Sequence, residues 1–439
     1  MRTGLSLACC LIVAVGCGAE SQAPTYHQQV KPLIDAYCKS CHSAGGIAPY
    51  SFETYAGVKA LENPIAAAVT DRRMPPFLAE RGHTALANDT TLSDEQIATI
   101  VDWVAAGAPE GDATRPGEPI VLPRQGLDGY DLELKLPLAY EPKLAPDEYR
   151  CFVFDWPSSE SKFVTGVEVV PGNKLIAHHA ALYVVGPAQA ARAKQFDDED
   201  PGPGYSCFGG AEKTGFEAQG LTDRFVYGYL GAWVPGASAH RFDNGARVEP
   251  GSKLVLQMHY FTDGNLGEVD KTTVRIATAD KVEREAFFMP WMSFKWPIGL
   301  MHIPANQEAR FTYRDKPLTS INVGLFAGDQ DFSKGMVLHS TLLHMHKLGK
   351  SISLTLHRKD GSEQVLVNVP RWDFDWQREY IFKSPVQVYP GDELQVQCVF
   401  DNTDAANYKL GRDKGASTSN WGEGTNDEMC VAHTRITHP

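Results

Sequence analysis

Five histidines and one methionine fall in strand-like runs at spacings that could bind a metal ion. In "LLHMHKLG", His344 and His346 are two residues apart, and in a β-strand such positions face the same way. "KLIAHHAALYVV" carries His178 and His179, "LVLQMHY" carries His259, and "NDEMCVAH" carries Met429. Imidazole suits copper, zinc, iron and nickel, whereas a thioether selects soft Cu(I). His344, His346 and Met429 would give two imidazoles and a thioether, a donor set that argues for copper. His178, His179 and His259 would give a three-imidazole site that could hold copper or zinc. Neighbouring strand residues face opposite ways, so His178 and His179 need a local twist or bulge to share one ion. Taken singly, each match has a plain structural explanation, such as a core or surface histidine or a packed methionine. The joint pattern is what points to metal.

A second kind of chemistry stands near the N-terminus. "YCKSCHSAGGIAPYS" contains Cys38 and Cys41 followed by His42, the C-x-x-C-H pattern of covalent c-type haem attachment. Both thiols would add to the haem vinyl groups, and His42 would reach the iron. A redox C-x-x-C that happens to precede a histidine is the structural alternative. For a second axial ligand, Met74 in "DRRMPPF" is the methionine between residues 43 and 120, and His83 is the histidine alternative. A methionine ligand raises the haem potential. "TYHQQVKPLIDAY" reads as a helix leading into the motif. "SDEQIATIVDWVAAGAP" reads as another, with Ser93 and Gln96 as a capping box and Ile97, Ile100, Val101 and Val104 on one face. Helix, haem loop, methionine loop and helix resemble a small class I cytochrome c over residues 24–112.

These elements sit in a chain of 439 residues, too long for one core. Net charge is -13, which argues against a nucleic-acid partner. Arg2 and the short apolar run Leu5 to Val15 read as an export signal too short to span a bilayer. "AVGCGAES" resembles a bacterial lipoprotein processing site, with Cys17 as the lipidated residue and a means of membrane attachment. Cleavage after Ala19, giving a soluble periplasmic protein, is the alternative. The expected location is the periplasm or the outer membrane. Of nine cysteines, Cys151, Cys207, Cys398 and Cys430 lie outside the signal and haem segments. In an exported chain they suggest two disulfides, in any of three pairings.

Beyond residue 125, short apolar or alternating runs such as "YRCFVFDW", "SISLTLHR" and "ELQVQCVF" alternate with turns such as "VVPGNK" and "YPGDE". That pattern predicts β-sandwiches, and the remaining length suffices for two. The expected fold is multidomain. A signal peptide (1–20) and a small all-α cytochrome c domain (21–112) lead through a linker (113–126) to two all-β, jelly-roll-like sandwiches, 127–280 and 281–439.

The histidine and methionine segments resemble, in order, the copper type II, ascorbate-dependent monooxygenases, over about residues 125–439. The resemblance rests on the His178-His179 pair, Gln257 to Tyr260, His344-x-His346 followed by Leu348-Gly349, and Glu428-Met429-Cys430. It implies two sandwiches facing across a cleft and two copper ions. His178, His179 and His259 would hold an electron-reservoir copper; His344, His346 and Met429 would hold the copper where oxygen binds and a C–H bond is cleaved. It also implies the disulfides Cys151–Cys207 and Cys398–Cys430. Peptide-amidating members carry an Arg where this chain has Leu342, and a Tyr where it has His433. Without that Arg a substrate carboxylate loses a bidentate partner, which argues against a C-terminal glycine as substrate.

The expected function is hydroxylation of an sp3 C–H bond of an unknown organic substrate with O2, using an ascorbate-like or protein electron donor. The fused haem would relay electrons to the His178, His179 and His259 copper, since a tethered donor has a high effective concentration. A non-catalytic copper and haem electron carrier or redox sensor is the alternative. His339 and His433 lie near ligand segments and could support them, and His240 reads as a loop residue.

Overall fold

The computed structural model describes residues 23–439 apart from 45, 47, 123–125, 209, 216–226, 235–238, 263, 328–329, 410–414 and 423–426. The expected signal segment 1–20, with Cys17, lies outside the described residues. No helix among the described residues is long and apolar enough to cross a membrane.

Among the described residues up to 105 there are four short α-helices: α1 (Lys31–Tyr37), α2 (Tyr55–Lys59), α3 (Glu62–Thr70) and α4 (Asp94–Ala105). A wider helical turn, Tyr26–Val30, precedes α1. Ser93 caps α4 through the reciprocal Ser93–Gln96 box, which satisfies two amide donors at the helix start. Its buried face is Ile100 and Trp103, with Ile97 and Val104 packed alongside. Trp103 was not expected on that face; its indole N–H donates to the Pro109 carbonyl at 3.0 Å. These helices share a core with Tyr26, Val30, Leu33, Ile34, Val58 and Val69.

The rest of the chain is mostly sheet. The first sandwich uses β1 (Leu132–Lys135), β2 (Asp147–Asp155), β3 (Lys162–Val170), β4 (Ala177–Val185), β5 (Tyr205–Ser206), β6 (Gly228–Trp233), β7 (Arg241–Val248), β8 (Lys253–Phe261) and β9 (Thr273–Ala279), with the helix α5 (Ala190–Asp198) between β4 and β5. Its sheets run β1-β9-β3-β7 and β5-β2-β8-β4-β6. Strands alternate buried and half-buried positions, and one core of Leu, Val, Ile and aromatic residues fills the space between the sheets.

The second sandwich uses β10 (Phe287–Trp291), β11 (His302–Ile303), β12 (Glu308–Asp315), β13 (Met336–His344), β14 (Gly349–His357), β15 (Glu363–Val369), β16 (Glu379–Val388), β17 (Glu393–Asp401), β18 (Ser419–Asn420) and β19 (Val431–Thr437). Helices α6 (Ile321–Phe326) and α7 (Asp404–Lys409) are its insertions. The sheets are β10-β19-β13-β16 and β12-β17-β14-β15, with β11 and β18 paired apart. All strand pairs in both sandwiches are antiparallel.

Two disulfides tie the sandwiches internally, Cys151–Cys207 and Cys398–Cys430, the pairing the resemblance implied.

The segment between α3 and α4 is built into the second sandwich rather than into the helical unit. Phe77 and Ala79 belong to that sandwich's core. Glu80 N–H donates to Asn368 O at 2.7 Å, on β15; Ala87 N–H donates to Ile381 O at 2.7 Å, and Lys383 N–H to Ala85 O at 2.8 Å, on β16. β15 and β16 are the edge strands of the two sheets. The segment thus satisfies free amide and carbonyl groups on both, which is how an exposed edge is protected from pairing with another chain.

Candidate metal centres

His179 and His259 lie directly opposite each other on β4 and β8. Between Ala177 and His179 the register slips, so His178 is the extra residue of a bulge. The bulge turns His178 to the same side, and the three rings meet. The Nδ1 atoms of His178 and His179 are 3.3 Å apart, and those of His179 and His259 3.2 Å. Two outer nitrogens are held by carboxylates: His259 Nε2 by Asp147 at 2.8 Å, and His178 Nε2 by Asp375 at 3.4 Å. Tyr149, opposite His259 on β2, stacks on its ring at 4.2 Å.

This hydrogen-bond pattern fixes where the lone pairs point. A carboxylate accepts a hydrogen bond, so each paired Nε2 carries the proton and Nδ1 is left bare. Nδ1 lone pairs then crowd one point, and a single proton on His179 could not serve both of its neighbours. A cation at that point resolves the repulsion, so the residues fit a metal ion. Burial, with the neighbouring histidines, holds His179 well below its ordinary pKa, and burial outweighs the Asp147 hydrogen bond to lower His259. Neutral imidazole is the ligand form. Burial pushes the Asp147 carboxyl up, but the His259 hydrogen bond together with the charges of His259, Lys347 and His178 outweighs it, so Asp147 lies below the usual range.

The second cluster is built at the end of β13. His344, the last residue of β13, is opposite Val431, the first of β19; His346 lies two residues past the end of β13, and Met429 two residues before the start of β19. The rings of His344 and His346 are 5.0 Å apart, nearly perpendicular. Here both Nδ1 atoms are engaged: His344 Nδ1 donates to Gln377 Oε1 at 2.6 Å, and His346 Nδ1 to the Asp427 carbonyl at 3.0 Å. That leaves Nε2 of each as the donor to a metal. Glu428 is fully buried and accepts from the backbone N–H of His346 at 3.0 Å and of Leu348 at 2.5 Å, which pins the turn after the histidines. Met429 is buried too, and the neighbouring Cys430 is bridged to β17 by the disulfide. Two imidazoles and a thioether fit a soft ion such as Cu(I).

On this face of the sheet, beside His344, stand Leu342, His433, Glu379 and Arg435. Burial pulls His433 down to about 3 and pushes the Glu379 carboxyl up. Arg435 reaches across to the first sandwich, donating to the Asn244 side chain at 2.7 Å and to its carbonyl at 3.0 Å. His339 bonds the Thr437 hydroxyl at 3.0 Å, and His240 packs edge-on against Phe242.

One short segment of the second sandwich touches both clusters. Trp372 donates to the His346 carbonyl at 3.0 Å, Asp375 holds His178, and Gln377 holds His344. The sequence reading missed Asp147, Asp375 and Gln377. No local pattern marks them, because each meets its histidine only through strand pairing or through the packing of one sandwich on the other.

At the haem-type motif, Cys38 and Cys41 are unpaired, and the backbone turns so that Cys41 N–H and His42 N–H both point to Cys38 O, at 3.2 and 2.9 Å. His42 Nδ1 bonds the Tyr50 carbonyl at 3.0 Å, and its ring stacks on Phe52 at 4.2 Å. With Nδ1 so held, Nε2 is free to bind iron, and the two thiols are free to react. The residues therefore fit a c-type haem. Met74 lies just past α3 with its side chain 38% exposed. His83, the alternative ligand, pairs with Glu80 at 3.0 Å.

On the first sandwich His178, His179 and His259 form a group that could hold a metal ion; on the second, His344 and His346 stand together, with Met429 buried on the segment that follows Glu428. Residues 328–435, which include His344, His346 and Met429, match the family model described as copper type II ascorbate-dependent monooxygenase, C-terminal domain. The chain is similar to putative DBH-like monooxygenase protein 2 of Homo sapiens, 23% identical over 273 residues, covering 60% of this chain and 47% of that protein. It is also similar to dopamine beta-hydroxylase of Canis lupus familiaris, 24% identical over 275 residues, covering 60% of this chain and 38% of that protein. For DBH-like monooxygenase protein 1 of Homo sapiens the figures are 23% over 300 residues, 65% and 43%. The aligned regions span less than half the length of each of these relatives. Together the matches support the copper type II, ascorbate-dependent monooxygenase family for this chain.

Proposed function

We propose that the chain is a copper-dependent monooxygenase that hydroxylates an sp3 C–H bond, with a covalent c-type haem on its helical unit. The observation that carries the reading is the pair of unlike donor sets, all imidazole on one sandwich and imidazole with thioether on the other. His178, His179 and His259 hold one copper through Nδ1; His344, His346 and Met429 hold the other. Cys38 and Cys41 would carry the haem covalently, and His42 and Met74 are the side chains that would bind its iron. The net reaction takes R–H, O2, two electrons and two protons to R–OH and water. Bound copper supplies the one-electron chemistry with O2 that side chains alone lack. An ascorbate-like reductant or a redox protein supplies the electrons, and the haem is a one-electron relay between that donor and copper.

The chain's own groups shape the rest. Carboxylate partners at Asp147 and Asp375 make the first set of imidazoles more basic, which suits a copper that stores and passes charge. Neutral partners at Gln377 and the Asp427 carbonyl, with a thioether, suit a copper that favours its reduced form. Leu342 itself presents no cation to a substrate beside His344. The chain is exported, to the periplasm or, through lipidated Cys17, to a membrane surface.

The test follows haem reoxidation in the full chain. The protein is reduced anaerobically with and without copper, then exposed to O2 while the visible haem band is recorded. Copper should speed reoxidation at least tenfold, and His344→Ala should remove the acceleration. Reoxidation at one rate with and without copper would defeat the monooxygenase reading and leave a non-catalytic haem and copper carrier.

A further inference from the structure

Arg378 sits where three parts of the molecule meet, and its charge has no partner. The residue is 6% exposed. Its Nε is buried without a hydrogen bond, and no ion pair joins the side chain to a carboxylate of the described residues. A buried cation is ordinarily paired, because an isolated charge in a low-dielectric site costs several kcal/mol. Aromatic rings lie beside Arg378: the guanidinium lies 5.1 Å from the Phe77 ring, and Phe77 meets Tyr380 edge-on at 5.6 Å. The titratable groups that act on it are Tyr380, Cys41 and Asp89. Of these, Asp89 is the carboxylate, and it makes no ion pair with Arg378. Cys41 becomes a neutral thioether once haem is attached.

The position of Arg378 relative to the haem-type motif is specific. Phe77 follows Met74 by three residues, so the guanidinium stands on the loop that carries the second axial ligand. Cys41, from the attachment motif, acts on the same group electrostatically. The side chain belongs to the second sandwich, yet it lies against Phe77 of the segment that follows Met74. Its chain neighbour Gln377 holds His344. The relay read from the sequence ran to the three-histidine site. The segment between α3 and α4 rests on the second sandwich, at β15 and β16.

We infer that Arg378 is the docking cation for a haem carboxylate: one propionate of the haem carried by Cys38 and Cys41 pairs with its guanidinium and fixes the haem against the second sandwich beside Gln377 and His344. A propionate is the anion that haem attachment brings, and a planar guanidinium accepts a carboxylate with two hydrogen bonds. The inference rests on the proposed haem and adds where it docks and what holds it.

The full chain and two variants, Arg378→Gln and Arg378→Lys, are compared after the covalent haem content of each is measured by the pyridine haemochrome spectrum. A positive charge at a propionate favours the reduced haem. Arg378→Gln should therefore lower the midpoint potential by about 59 mV, a tenfold change in the one-electron equilibrium. Arg378→Lys should recover most of that shift, and the propionate bending band in the resonance Raman spectrum should move in both variants. A merely structural role would move neither the band nor the charge-dependent part of the potential. If haem is attached but the potential and the band match wild type in both variants, Arg378 does not bind a propionate and the inference falls alone. If neither variant folds, the wild-type band decides: the frequency of a free, solvated propionate overturns the inference, and that of a paired one supports it. If no chain carries covalent haem, the haem reading itself fails and takes the inference with it.

Discussion

In the first sandwich three imidazoles converge through Nδ1, and carboxylates hold the far nitrogens of His178 and His259. In the second, His344 and His346 give their Nδ1 protons to an amide oxygen and a backbone carbonyl, and the third donor we propose is the Met429 thioether. The same residue type is thus used in two ways, and the partner on the far nitrogen decides which. A charged partner makes the ring a stronger donor and favours the higher oxidation state; a neutral partner does less of both. The supports differ as well. The first set is fixed by a bulge and by cross-strand neighbours. The second depends on a buried Glu428 and on a disulfide one residue from Met429.

That dependence gives the largest expected effect. Removing the bridge with Cys398→Ser and Cys430→Ser together should cost about 2–4 kcal/mol of stability, by the usual contribution of a native disulfide. Copper should leave the methionine site first, since Met429 loses its anchor, while the three-histidine site keeps its ion. Metal counting after dialysis, read beside a denaturant titration, checks both. Loss of both ions together would mean that the two supports are not independent.

A smaller effect separates the two kinds of far-nitrogen partner. Asp147→Asn removes the charge that faces His259, and copper at the first site should bind about 10–100-fold more weakly, the usual cost of losing such a partner. Gln377→Leu removes a neutral acceptor from His344, and affinity at the second site should fall by less. Competitive chelator titrations of the two variants decide the matter. Equal losses would show that hydrogen bonding, rather than charge, sets the basicity of these rings.

The sequence carried local information well and long-range information poorly. The strand period put His344 and His346 on one face, and the adjacency of His178 and His179 required a bulge, which the structure has. The Ser93–Gln96 box was readable because capping involves residues three apart. Asp147 was not readable, because it meets His259 across 112 positions and only through the β2–β8 register. Asp375 and Gln377 act from a turn of the second sandwich, one towards each cluster, and no periodicity marks a turn residue by what it faces. Residues 77–88 read as a haem-unit loop, yet they close the edges of two sheets. Periodicity tells which way a strand faces; it does not tell which segment will cover its edge.

The smallest effect concerns acid. The first sandwich backs its paired histidines with carboxylates, whereas His339 in the second hydrogen-bonds the Thr437 hydroxyl, and Arg435 and Arg284 oppose its protonation against a smaller opposite effect of Asp243. Burial first, then those cations, pull it down to about 4. In the unfolded chain it titrates near 6.5. Above 6.5 both states are neutral, and the folded form keeps its full advantage. As pH falls from 6.5 to about 4, the unfolded chain takes up a proton that the folded one refuses, so stability declines; below 4 both carry it and this contribution stops changing. Metal-free protein should therefore lose stability on that descent, and His339→Gln should make the descent shallower while leaving stability at neutral pH little changed. Denaturant midpoints of the metal-free pair across that range settle it. Parallel curves would show that His339 is not the group that takes up the proton, and would move attention to the more deeply buried His433 beside the methionine site.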